Sequence, residues 1–178
     1  YNPGDKSISM CYEMLAFIYS TNEALAKAQG GQSAEVIEQN FWNVMAFVFF
    51  HEMGHALVDL LQLPITGKEE DVSDQLAASL FLQNGELGEK GSIAAAQFWL
   101  ALSAGEDVAN LAYWDSHSLT KQRFYNIICW IYGKDQTKYA SLVEQKILPE
   151  DRAAYCPGEY EQMVKSFTTL LTPHLKTK

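Results

Sequence analysis

Only three cysteines occur in the chain, Cys11, Cys129 and Cys156, and no two of them form a CxxC pair. That excludes a disulfide scaffold, a zinc ribbon and a dithiol redox site. It leaves either buried thiols or a single Cys129 to Cys156 bridge, which would imply an oxidising compartment. Basic residues are scarce as well: 13 Lys and Arg against 22 Asp and Glu leave a formal net charge of -9. No basic stripe can follow a phosphate backbone, so nucleic acid and anionic membrane surfaces are excluded as partners. Long apolar runs are also missing. The longest, Val44 to Phe50, is far too short to span a bilayer, and His51 and Glu52 follow at once. An initiator Met and any signal or transit pattern are lacking at Tyr1, so the chain reads as trimmed from a longer precursor. Together with the candidate bridge, this leans localisation towards a secreted or periplasmic setting.

What is present is a core. The 178 residues are 48% hydrophobic and 12% aromatic, the make-up of one domain spanning 1–178. Ser7 to Cys11 alternates enough for a short strand, and a helix should follow to about Gln29, stopped by Gly30 and Gly31. Ser33 can cap a second helix that runs to Leu63-Pro64, apolar on most of its circumference and therefore central. Thr66 followed by Glu69 fits a capping box for a third helix ending at Asn84-Gly85. After a Gly-rich loop, Ser92 opens a helix ending at Gly105, and a shorter helical piece reaches Trp114 before the polar break WDSHS. Leu119 to Tyr132, Gln136 to Lys146 and Pro157 to Leu171 complete a mainly α fold. Residues 1–32 should be peripheral, 33–84 should hold the functional helices, and 92–172 should support them.

The second helix poses a question of cost, because FVFFHEMGHALVDLLQL sets His51, Glu52 and His55 inside an apolar run. Burying two imidazoles beside an ionisable carboxylate costs several kcal/mol, of the order known for buried unpaired polar groups, unless something compensates. Residues four apart share a helix face, so His51 and His55 can aim their ring nitrogens at one point. That point suits Zn2+, with Glu52 reaching a water at the fourth, open position as general base.

A catalytic site of this type needs a third protein ligand. Val58 and Leu61 stand where a metzincin would have Gly and His, so the ligand must come from EEDVSD. Glu69 is accounted for as the partner of Thr66, and Asp71 as a first-turn acid. Glu70 and Asp74 lie one turn apart on the face that continues through Ala77, Ala78 and Phe81. Glu70 is therefore assigned as third ligand, and Asp74 as acceptor for the free ring N–H of a ligating histidine.

HEMGH followed by EDVSD resembles the gluzincin pattern, HExxH and then ExxxD on the next helix, with Ser73 as the small residue before the acid and Ala77 three after it. The stretches AFVFFHEMGHALVDLLQLPITGKEEDVSDQLAA, HSLTKQRFYNIICWIYG and LPEDRAAYCPGEYEQM are similar to a bacterial domain-of-unknown-function family grouped with the metallopeptidases. The resemblance implies a compact zincin-like domain, a bound Zn2+ and a peptide or protein substrate. It covers most of the chain after residue 40 and names no particular substrate.

Hydrolysis also wants a donor for the developing oxyanion. His117, Arg123 and Tyr125 are the candidates, with Asp115 placed to orient His117; the gluzincin resemblance makes a distal His or Tyr reasonable. Asp59 continues the His51 and His55 face and is a second candidate acceptor for a ring N–H. His174 reads as a surface residue. The leading reading is a zinc-dependent peptide-bond hydrolase. The alternative is a zinc-binding interaction or sensing module on a peptidase fold that does not cut. Oligomeric state is open.

Overall fold

The structure, a computed structural model, describes residues 1–176. It is built from helices: α1 (Tyr12–Ala28), α2 (Ala34–Leu61), α3 (Glu69–Gln83), α4 (Gly85–Ser103), α5 (Thr120–Lys134), the single-turn α6 (Ser141–Glu144) and α7 (Glu150–Ala153), and α8 (Cys156–Leu171). The fold class is mainly α, as the sequence implies. Short 3₁₀ turns lie at Val108–Asn110 and Thr172–His174.

α2 begins where Ser33 Oγ accepts the Val36 N–H, and ends with Gln62 in the left-handed conformation. It packs against α1, α3 and α4. By length and composition α2 alone among the described helices could cross a membrane, a test that the core helix of a bundle also passes. Here it carries His51, Glu52 and His55 and faces its neighbours with Val44 and Phe47, both buried. The main core joins Phe47 to Leu76 and Leu82 of α3, Ile127 and Ile131 of α5, and Met163 and Phe167 of α8. Each such side chain contributes roughly 1.5–3 kcal/mol on burial. A smaller core gathers Ile18, Val44, Met45, Ala94 and Phe98 beneath α1.

Two close approaches set the geometry. A Cβ on Gly54 would stand 2.9 Å from Ser73 Cα, so α2 and α3 touch almost backbone to backbone beside the histidines. A Cβ on Gly88 would fall 1.7 Å from the Phe81 carbonyl oxygen, and one on Gly91 2.2 Å from the Phe81 ring. The glycines at three-residue spacing therefore form one face of α4 that seats on α3. That face corrects the Gly-rich loop expected after Asn84. The segment is helical from Gly85, and Ser92 lies inside the helix, its hydroxyl donating to the Gly88 carbonyl at 3.1 Å.

Other expectations also shift. Ser7 to Cys11 forms no strand; among the described residues the only β pairing is an isolated Asn2–Ser7 bridge. The piece towards Trp114 reduces to the 3₁₀ turn Val108–Asn110, and the Gln136 to Lys146 helix to α6 with turns before it. α3 starts at Glu69 after Lys68 with no side-chain cap, so Thr66 and Glu69 make no capping box. Three acids, Glu69, Glu70 and Asp71, occupy its first turn instead, where the positive helix end favours them. Cys129 and Cys156 are joined in a disulfide that ties α5 to α8, and Cys11 is free and exposed.

Candidate metal centre

Three side chains from α2 and α3 converge. His51 Nε2 lies 3.1 Å from Glu70 Oε2, His55 Nε2 lies 3.3 Å from the same oxygen, and the two Nε2 atoms are 3.3 Å apart. His51, His55 and Glu70 form the one metal-type cluster among the described residues, its ligand atoms all within 4.8 Å of one another.

The outer ring nitrogens are held by carboxylates. His51 Nδ1 meets Asp74 Oδ1 at 2.8 Å, and His55 Nδ1 meets Glu69 Oε1 at 2.8 Å. Arg123 donates from Nε to Asp74 Oδ2 at 2.7 Å and from Nη2 to Oδ1 at 2.6 Å, while its guanidinium carbon sits 3.7 Å from the centroid of the Trp99 ring. Burial pushes the Asp74 carboxyl up, but the His51 and Arg123 contacts outweigh it and leave it below the usual carboxylate range. An ionised acceptor at each Nδ1 makes that nitrogen the N–H donor. Each neutral ring then presents a bare lone pair at Nε2, and both lone pairs face a carboxylate oxygen.

Three lone-pair donors within 3.3 Å repel unless a cation lies between them. A tetrahedral ion about 2.0–2.1 Å from each donor spaces them roughly 3.4 Å apart, so the donor set and its spacing fit a Zn2+-sized dication.

Glu52 projects beside this triangle, with 26% of its side chain exposed and its carboxylate accepting from the Tyr1 ammonium. Burial raises the Glu52 carboxyl; the Tyr1 ammonium outweighs this and holds it below the ordinary value. His117 arrives from the WDSHS break. Its Nε2 is 2.9 Å from Glu70 Oε2, and its ring stacks on that of His51 at 6.2 Å. Asp115 Oδ1 orients it, accepting the His117 backbone N–H at 2.7 Å and lying 3.1 Å from Nδ1, and Lys68 donates to the Asp115 carbonyl at 3.1 Å. These groups line an open cleft of about 890 Å³ with Asp59, Tyr1 and Pro3 on its wall.

Two expected residues stand elsewhere. Asp59 meets no histidine: Tyr1 Oη donates to its Oδ2 at 2.7 Å and Lys6 Nζ at 2.6 Å, because the side chain points towards the N-terminal segment. Tyr125 lies two positions beyond Arg123, on another face of α5, and lines a separate depression with Pro149 and Arg152. Two residues take roles other than those the sequence suggests for them, a capping partner for Glu69 and an oxyanion donor for Arg123. Glu69 is the His55 acceptor, for which its position beside Glu70 in one helical turn was the available signal. Arg123 braces Asp74 from a distant helix, for which there was none.

The model of the family DUF4344, described as "Putative metallopeptidase", matches residues 1–171. The chain belongs to this family. Among curated proteins and among solved structures, none matches. A metal-dependent peptidase family accords in kind with a cluster of two histidines and a glutamate.

Proposed function

We propose that this family member is a zinc-dependent metallopeptidase of gluzincin type, in which residues 33–84 hold the metal and 92–172 support it. The observation that carries this is the convergence of His51 Nε2, His55 Nε2 and Glu70 Oε2, with a carboxylate behind each ring. Those three residues would hold Zn2+, which when bound polarises a carbonyl and lowers the pKa of a water. Glu52 takes the proton of the attacking water and delivers it to the departing amine. His117, oriented by Asp115, donates to the oxygen that gains charge as the carbonyl is attacked. Asp74 and Glu69 keep both histidines in the tautomer that leaves Nε2 bare. The Cys129–Cys156 disulfide supports an extracytoplasmic setting.

The test is the Glu52→Gln variant on protein purified without added metal. Near-stoichiometric zinc by mass spectrometry in both proteins, with peptide cleavage by the parent only, is the expected result. Cleavage by the variant at the parent's rate would remove Glu52 from the mechanism. Zinc bound by both proteins but no cleavage across a broad peptide library would favour a non-catalytic zinc-binding module.

A further inference from the structure

We infer that the site selects peptides with a bulky apolar residue next to the scissile bond, and that a recess between α1, α2 and α4 receives that side chain. This inference rests on the proposed metal-dependent chemistry. The recess has a volume of about 220 Å³ and shares His51, Glu52 and His117 with the main cleft, so it opens directly onto the reacting centre. Ligand pockets for whole small molecules run at about 300–1,000 Å³, so this one has room for a single side chain. Successive residues of an extended peptide advance about 3.3 Å, and only a residue adjoining the attacked carbonyl can reach a recess that begins at Glu52 and His117.

Its walls decide the chemistry. Phe47, Phe98, Trp99 and Leu102 form the interior, and Met14 and Phe17 of α1 form the rim. Those two rim residues are 40% and 48% exposed, apolar surface left uncovered at the mouth. Among the described residues the one Lys or Arg on the wall, Arg123, already spends two donors on Asp74 and lies over Trp99. An acidic guest would therefore meet Glu52 without a free cation to offset it, and a lysine would lose its hydration against four aromatic rings. An aliphatic or phenyl side chain fits volume and polarity together.

The experiment uses calorimetry on the zinc-loaded protein with acetohydroxamate and with N-blocked glycine, leucine, phenylalanine, glutamate and lysine hydroxamates. Leucine and phenylalanine should bind about tenfold or more tightly than glycine, and glutamate and lysine no more tightly than glycine. In Leu102→Trp and Met14→Trp, made on separate helices to fill the recess, the leucine-to-glycine ratio should fall towards one. The ratio within each protein is the readout, so a general loss of stability does not imitate it. Zinc-dependent acetohydroxamate binding with no leucine preference in the parent overturns this inference and leaves the metal site standing. Absence of any zinc-dependent hydroxamate binding overturns the metal site itself, and this inference with it.

Discussion

Arg123 grips both oxygens of Asp74, at 2.7 and 2.6 Å, and so fixes from α5 a carboxylate that in turn holds His51 Nδ1. A residue that touches no ligand atom thereby sets the tautomer of one. Arg123→Lys keeps the charge but loses the planar fork and the stacking on Trp99. Zinc affinity should fall, but by less than the roughly 10–100-fold expected for losing Asp74, the direct hydrogen-bond partner of His51. Competition with a chromogenic chelator measures it; an unchanged affinity would show that Asp74 holds His51 without help.

Glu70 and Glu69 should separate in degree. Glu70→Ala removes a donor from the triangle, and near-complete zinc loss is expected. Glu69→Ala leaves the triangle and frees the His55 ring, so zinc should bind about tenfold or more weakly rather than vanish. Metal content by mass spectrometry after dialysis against a graded chelator series distinguishes the two. Equal loss in both variants would assign Glu69 a direct role at the metal.

Glu89 offers a pH dependence remote from the metal. It is buried, and Lys134, Lys138 and Tyr139 all donate to it. The two lysines lower its carboxyl to about 2, against burial that acts the other way. The folded value lies below the unfolded one, so this contribution is full above about pH 4.5 and is lost as pH falls towards 2. Its size is on the order of 2 kcal/mol after allowance for solvent screening of the lysines. Urea unfolding of the metal-free protein from pH 6 to pH 3 should therefore show a steeper decline for the parent than for Glu89→Gln. Parallel declines would place the acid sensitivity elsewhere.

Gly54→Ala should cost about 1–3 kcal/mol, because the new methyl would press on Ser73 Cα and Cβ in a contact that has no slack. The same displacement separates His51 and His55 from Glu70. Zinc affinity and the urea midpoint should fall together, and a drop in only one of them would contradict the shared contact.

The helices of the fold and the two histidines were legible because apolar periodicity and i, i+4 spacing act within one element. Glu70 and Asp74 followed from a face shared over one turn. What failed depended on places where a helix begins or on contacts between helices. Glu69 reads as a capping partner because Thr66 precedes it by three, yet α3 starts two residues later than that cap requires, and its first turn faces the histidines. Gly88 and Gly91 read as a loop in isolation, and only the Phe81 carbonyl and ring packed against them show why glycine is needed inside a helix there. Tyr125 and Arg123 are two residues apart, and no local pattern shows which of them turns towards α3.

The close approach of Gly54 to Ser73 brings the candidate metal-holding residues His51, His55 and Glu70, with the carboxylates of Glu69 and Asp74 behind the rings, into one helix–turn–helix segment, residues 51–74. Such a segment is portable. Grafted onto a helical hairpin whose two backbones approach as closely, with an arginine supplied from a neighbouring element, it constitutes a minimal template for building the proposed metal centre into an unrelated scaffold.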